Sequence, residues 1–334
     1  MKKSTLLIPL FLLLAGLLTG CSGAAAANAW PGVTADVENE TVYLAYNTQV
    51  YALQLASGVQ KTAYPQEPVA ARTFFAPPVL SADGQLLVSG YDKTVASLNP
   101  QTLAENWVFK DAKNRFIAPP VVSGEVIYAA CTDEKLYALD RSGNPLWPRP
   151  FDAGQALWAA PALSPDGQTL YQASMDRRLY AIQASDGSLR WSREMGGASV
   201  GTPAVSPAGD TLYIGTMGNE LLALRASDGQ IEWRLAMDGW VWAGPVLHDG
   251  MLIVGDLSGA LSAINPANGS RLWTMQPDGP IIGQPLVIED SIYIGTESGS
   301  VYAVDLEGNV RWSLEIGGKI YTSPVQAVDL ILVA

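Results

Sequence analysis

Residues 203–233 read PAVSPAGDTLYIGTMGNELLALRASDGQIEW. This stretch divides into four short apolar runs, each bounded by turn formers. Pro203 to Val205 opens the first, and proline suits a strand's first residue. Ser206 to Asp210 is a turn. Thr211 to Thr216 alternates Leu212 and Ile214 against Tyr213, the period of a strand. Gly218-Asn219 is a pair that reaches positive φ at low cost and predicts a two-residue hairpin turn. Leu221 to Arg225 is a third strand, Ser227-Asp228-Gly229 a third turn, and Ile231 to Leu235, carrying Trp233, a fourth strand.

The same scheme recurs along the chain. Asp186-Gly-Ser-Leu-Arg-Trp191, Asn268-Gly-Ser-Arg-Leu-Trp273 and Glu307-Gly-Asn-Val-Arg-Trp312 match Asp228-Gly-Gln-Ile-Glu-Trp233. Ser142-Gly-Asn-Pro-Leu-Trp147 follows, and Trp107 closes a degenerate copy; Thr62 stands at this position in the first. Successive tryptophans are 40, 44, 42, 40 and 39 residues apart. A small residue recurs at Ala52, Ser97, Ala138, Ala181, Ala223, Ala263 and Ala303. A proline recurs at Pro31, Pro78, Pro120, Pro161, Pro203, Pro245, Pro285 and Pro324. The central turn recurs as Asn47-Thr48, Asp92-Lys93, Asp133-Glu134, Asp176-Arg177, Ser258-Gly259 and Ser298-Gly299.

Three columns in one register define an internal repeat, and four antiparallel strands per period of about forty residues is a propeller blade. One blade exposes two apolar faces; stacking blades radially buries them. The expected fold is therefore all-β, a β-propeller of four-stranded antiparallel blades over residues 30–334. The outer-strand tryptophans are expected to wedge between blades. The small column Ala130, Ala173, Gly215, Gly255 and Gly295 is expected where strands crowd near the axis. Seven repeats are complete; residues 320–334 supply only the first two strands of an eighth. The expected ring is eight-bladed with an incomplete last blade, leaving Asp329 to Ala334 as an exposed apolar edge; the alternative is a seven-bladed ring with an extra hairpin.

Upstream, Met1-Lys2-Lys3 is a basic start and Leu6 to Leu18 is almost wholly apolar, the shape of a secretory leader. It ends in Leu18-Thr19-Gly20-Cys21, which looks like a bacterial lipobox. Residues 1–20 are thus expected to be a lipoprotein signal peptide, Cys21 the lipidated residue, and residues 21–29 a small-residue tether. Cys131 then has no disulfide partner and is expected buried as a small apolar residue. The chain carries 20 basic and 32 acidic side chains, a formal net charge of −12. Without Lys2 and Lys3 the balance falls to −14. That acidity argues against nucleic acid, whose binding needs cations to displace counterions. One His and two Cys leave no material for a multi-His metal site or a zinc module.

The blade pattern Ala138-Leu-Asp140…Gly143…Trp147, with its fellow Ala303-Val-Asp305…Gly308…Trp312, resembles the PQQ-type propeller repeat. No Trp-Asp dipeptide of the WD40 kind occurs. The resemblance spans Trp30 to Ala334 and implies one of two classes. Quinoprotein alcohol and glucose dehydrogenases carry eight blades, calcium and the quinone on the axis. BamB-like envelope lipoproteins of the barrel-assembly machinery are non-enzymatic. A lipobox followed by a bare propeller resembles the second class. It implies a lipid-anchored, non-catalytic scaffold whose partners are envelope proteins. It also implies a location on the periplasmic face of the outer membrane in a diderm cell, or on the outer face of the plasma membrane in a monoderm one. The alternatives are a PQQ-dependent oxidoreductase and a ligand- or glycan-sensing propeller. The dehydrogenases' adjacent Cys-Cys pair is missing, so PQQ and calcium are not expected.

Few residues suggest chemistry. Gly197-Ala-Ser199-Val-Gly201 matches G-x-S-x-G, but that elbow needs a strand-to-helix turn, and none is predicted. His248 sits in a turn. The Asp-Gly pairs are turn formers, and none forms an EF-hand loop. Arg177-Arg178 is expected to be solvated in a hairpin turn. No catalytic residue and no metal ligand is assigned. The aromatics before the inner strands, Phe74, Phe75, Phe116, Trp158, Trp240, Trp242 and Tyr321, are the candidate partner-binding residues, set against a packing role at the channel mouth.

Overall fold

The computed structural model describes residues 30–334. The leader, Cys21 and the tether lie outside the described residues. Seven four-stranded antiparallel sheets follow one another, spanning residues 32–64, 79–109, 121–152, 162–194, 204–236, 246–275, 286–315. Strand order within each is sequential from the axis outward, and a two-stranded sheet, Val325–Ala327 with Leu330–Leu332, forms a partial eighth blade. There is no helix among the described residues.

The fifth blade shows how the sequence builds the unit. Its strands are Ala204–Val205, Thr211–Thr216, Glu220–Arg225 and Ile231–Ala236. The two middle strands are buried on both faces, whereas the outer strand alternates half-buried and exposed residues. Middle strands packed between two neighbouring blades read as continuous apolar runs; an outer strand with one wet face alternates.

The core is divided into apolar layers between blades. Separate clusters join the first blade to the second (Tyr43, Phe74, Leu86, Leu98), the fourth to the fifth (Tyr171, Leu179, Leu212, Leu224), and so on to the sixth and seventh. The partial eighth blade completes the ring: Ala327 and Leu332 pack on Val33, Val42 and Leu53 of the first. Leu332 is buried there, with Leu330, Ile331 and Val333 half-buried, so the expected exposed apolar edge is largely covered on its side-chain face.

Four expectations need correction. The central hairpin has two residues only in the first blade, where Tyr46 pairs with Gln49. In the fifth, Thr216 pairs with Glu220 across three residues, and Asn219 takes φ 57°. Lys93, Glu134 and Arg177 take φ of 71°, 74° and 68° at the same place, and glycine takes it at Gly259 and Gly299. A three-residue loop ending in a left-handed residue is the next favoured hairpin connection. Pro31 is two residues out of column. Thr34 faces Tyr43 as Ala204 faces Tyr213, so Val33, not Pro31, is the counterpart of Pro203. Trp147 lies in no strand; the third blade's outer strand is only Phe151–Asp152, because Pro145, Pro148 and Pro150 donate no ladder hydrogen bond. Finally, Gly215, Gly255 and Gly295 do not mark crowded strands. A Cβ on each would meet the side chains of Val241, Ile281 and Ile320 at 2.1–2.4 Å, and those residues come from the connections between blades.

The other small column has a different cause. Ala181, Ala223, Ala263 and Ala303 stand opposite Trp191, Trp233, Trp273 and Trp312 on the neighbouring strand, each beside a β-bulge. A bulge adds local twist, and the small partner leaves room for the indole.

Candidate functional site

With strands running alternately from the axis outward, the molecule has two faces. One carries the connections that cross from each outer strand to the next inner strand, together with the central hairpins. The other carries the remaining two sets of turns. The first, hereafter the crossing face, is where the sequence placed its candidate aromatics.

The crossings repeat a two-residue code. Phe74, Phe116, Leu157, Ser199, Val241, Ile281 and Ile320 are each at most 2% exposed and plug the space between blades. The next residue in each crossing, Phe75, Ile117, Trp158, Val200, Trp242, Ile282 or Tyr321, is partly or fully exposed. By the register of the first blade, Trp30 joins this second column. The rim of the crossing face thus receives one apolar side chain from every blade position.

Phe74 and Phe116 are therefore buried within the fold and present no surface on the crossing face. Phe74 packs in the layer between the first and second blades, and Phe116 sits against Phe109 and Tyr137 at centroid distances of 6.4 and 6.1 Å. Phe75 is drawn onto the rim by Tyr91, 4.5 Å away, over whose ring Arg115 lies at 4.1 Å. Arg115 Nη1 also donates to the Tyr91 hydroxyl at 2.6 Å. Trp158 and Trp240 are the most exposed aromatics of the set, at 39% and 43%.

Trp30 does what the sequence reading did not foresee. Its ring stacks on Tyr321 at 5.8 Å and meets Trp242 edge-on at 5.3 Å, joining the first, eighth and sixth blade positions at the mouth. The signal was its place in the register, hidden by the misaligned Pro31. Beside this cluster, Lys319 Nζ donates to Glu297 Oε1 at 2.6 Å, which holds the Glu297 carboxyl below the usual range, and the Tyr321 hydroxyl donates to the same oxygen at 3.3 Å.

The residues that could carry chemistry are accounted for elsewhere. Ser199 is fully buried in a crossing with no following helix, and its hydroxyl reaches only Gly201 O at 3.4 Å. His248 lies on the opposite face, with Nε2 2.9 Å from the Glu289 carbonyl. Cys131 is buried as expected. Its thiol donates toward the Asn114 and Arg115 carbonyls at 3.2 and 3.3 Å, and burial pushes its pKa upward. Arg177 is exposed in its hairpin, whereas Arg178 donates to Ser192 Oγ at 3.0 Å. Asp140 and Asp305 cap their own turns, Oδ1 of each accepting two backbone N–H bonds. Among the described residues no three His, Cys, Asp or Glu side chains converge as a metal site would require. A groove of about 460 Å³ between the fourth and fifth blades also opens on the opposite face; its Arg190 is already bonded to Thr169 and Gln183.

Between blades, the tryptophans are docked rather than free. Trp107, Trp147, Trp191, Trp233 and Trp273 donate their indole N–H to carbonyls of the following blade, at Arg141, Ala184, Ala226, Pro266 and Leu306, over 2.7–3.1 Å.

Tryptophan-docked four-stranded blades, closed by a terminal hairpin, define a β-propeller of the PQQ-type repeat. The chain belongs to the family described as outer membrane protein assembly factor BamB, which matches residues 25–156, 150–208 and 201–331. The crystal structure of BamB from Moraxella catarrhalis is similar, with a TM-score of 0.73 and 17% identity over 88% of this chain and 90% of that one. The crystal structure of the computationally designed Ika8 protein is also similar, with a TM-score of 0.76 and 14% identity over 92% and 94% of the two chains. At these identities the structural likeness concerns the fold alone. No curated protein matches the sequence.

Proposed function

We propose that the chain is a lipid-anchored, non-catalytic scaffold of the bacterial cell envelope, BamB-like in role, which binds an envelope protein through its crossing face. Family membership supports a protein-interaction role at the coarse level. The observation that carries the finer reading is the rim: Trp158 and Trp240 expose more aromatic surface than the other aromatics of the crossings. Tryptophan is enriched among the few residues that carry most of the binding energy at protein interfaces. The anchor is Cys21, read from the lipobox. Ser22 after it, in place of the aspartate that commonly retains lipoproteins in the inner membrane, favours the inner leaflet of the outer membrane in a diderm cell. The reading needs neither quinone nor calcium.

The experiment is crosslinked affinity purification of the lipidated protein from native envelopes, read by mass spectrometry. A stoichiometric envelope protein that is lost with Trp158→Ala and Trp240→Ala is the expected result. Recovery of the bait alone would overturn the scaffold reading.

A further inference from the structure

The position of Trp30 bears on how the molecule is held. Trp30 is seated between Trp242 and Tyr321 at the mouth of the crossing face. The first described residue of the chain is therefore packed at the mouth of that face. Cys21 lies nine residues upstream, and nine extended residues reach at most about 30 Å.

We infer that Trp30 is a seat for the tether, and that it turns the crossing face toward the membrane. This rests on the lipid-anchor reading above and deepens it. A partner gripped by Trp158 and Trp240 is then a membrane protein engaged through its membrane-proximal surface, in the layer that the tether spans. The opposite face, with His248 and the groove beside Arg190, points away from the bilayer. Trp158 and Trp240, exposed on that face, suit this orientation, since tryptophans favour the headgroup region.

The orientation can be tested apart from the anchor. Cys131 is buried, so Cys21 of the mature chain can be coupled selectively to a maleimide lipid and placed on phosphatidylethanolamine–phosphatidylglycerol vesicles. A fluorophore is introduced through an unnatural amino acid at Asp111, on the crossing face, or at Glu307, on the opposite one; both are exposed. Energy transfer to a headgroup acceptor is expected to be clearly stronger from position 111. That difference is expected to vanish in Trp30→Ala. It should also vanish when a Gly-Ser insertion of roughly ten residues, a flexible coil, follows Ala27 and leaves the propeller intact. Equal transfer from the two positions, stronger transfer from 307, or an asymmetry that survives both changes would overturn the inference. The acyl mass on Cys21 of protein taken from cells decides the anchor separately.

Discussion

Trp191 of the fourth blade covers Gly229 of the fifth. The glycine has φ 69°, and a methyl group on it would lie 2.6 Å from ring carbons Cε3 and Cζ3. The same pairing joins Trp107 to Gly143, Trp147 to Gly187, Trp233 to Gly269 and Trp273 to Gly308. The glycine that ends one turn is thus selected twice, once by its own backbone and once by the preceding blade's indole.

Gly229→Ala is therefore expected to cost roughly 2–4 kcal/mol, combining left-handed strain with overpacking. Gly84→Ala, at φ 80° with nothing within 4 Å of the added carbon, is expected to cost only the strain, about 1–2 kcal/mol. Denaturant unfolding of the two variants measures the difference; equal losses would remove the docking contact from the explanation.

Trp147 is the most enclosed of the docked indoles, 5% exposed, with its N–H on the Ala184 carbonyl at 3.1 Å. Trp147→Phe keeps much of the apolar contact but removes one of that carbonyl's two donors, leaving the Tyr128 hydroxyl, which donates to it at 3.2 Å. A loss of about 0.5–1.5 kcal/mol is expected, measured by the same unfolding curves, with folding and blade register retained.

The rim and the plug separate by their effects. Phe116→Ala removes a fully buried ring and is expected to destabilise by about 3–5 kcal/mol. Trp158→Ala and Trp240→Ala are expected to leave stability nearly unchanged and to lose partner recovery. Thermal unfolding alongside the envelope pull-down distinguishes the two behaviours.

Cys131 should be inert while the protein is folded. Its pKa is raised by burial, so the reactive thiolate is disfavoured at neutral pH. With Cys21 blocked, a thiol reagent is expected to titrate no group in the native protein and one group after denaturation. Rapid reaction in the native state would contradict the buried placement.

Acid should weaken the turns of the opposite face. Asp166 is held below its ordinary value of 3.8 by the Ser164 hydroxyl, Asp210 by Ser206, and Asp305 by the Asn309 amide. A depressed carboxyl contributes stability that is present above the unfolded pKa and lost as pH falls through the folded one. The melting temperature is therefore expected to hold down to about pH 4, near the unfolded aspartate value, and to fall below it. Asp210→Asn should flatten part of that fall.

How much of this was legible in the sequence depended on range. The four strands of a blade and their turns are local; Thr211 to Thr216 was bounded correctly because alternation and turn chemistry act over a few residues. The hairpin lengths missed by one residue, since a pair such as Asp92-Lys93 reads the same whether two or three residues turn. Pro31 misled because a proline fits several places before a strand, and only the pairing of Thr34 with Tyr43 fixes the register.

The sequence by itself determined the propeller: a forty-residue period of strands, each unit unable to bury its own faces, has ring stacking as its solution. Tertiary structure alone decided which side of each crossing faces inward. Phe74 and Phe75, like Phe116 and Ile117, are neighbours of similar hydrophobicity. One of each is buried between blades, as Val241, Ile281 and Ile320 are in the space left by Gly215, Gly255 and Gly295, and that space forms only when two blades meet. The seat of Trp30 is the extreme case, since its partners lie more than two hundred residues away and are brought to it by closure of the ring.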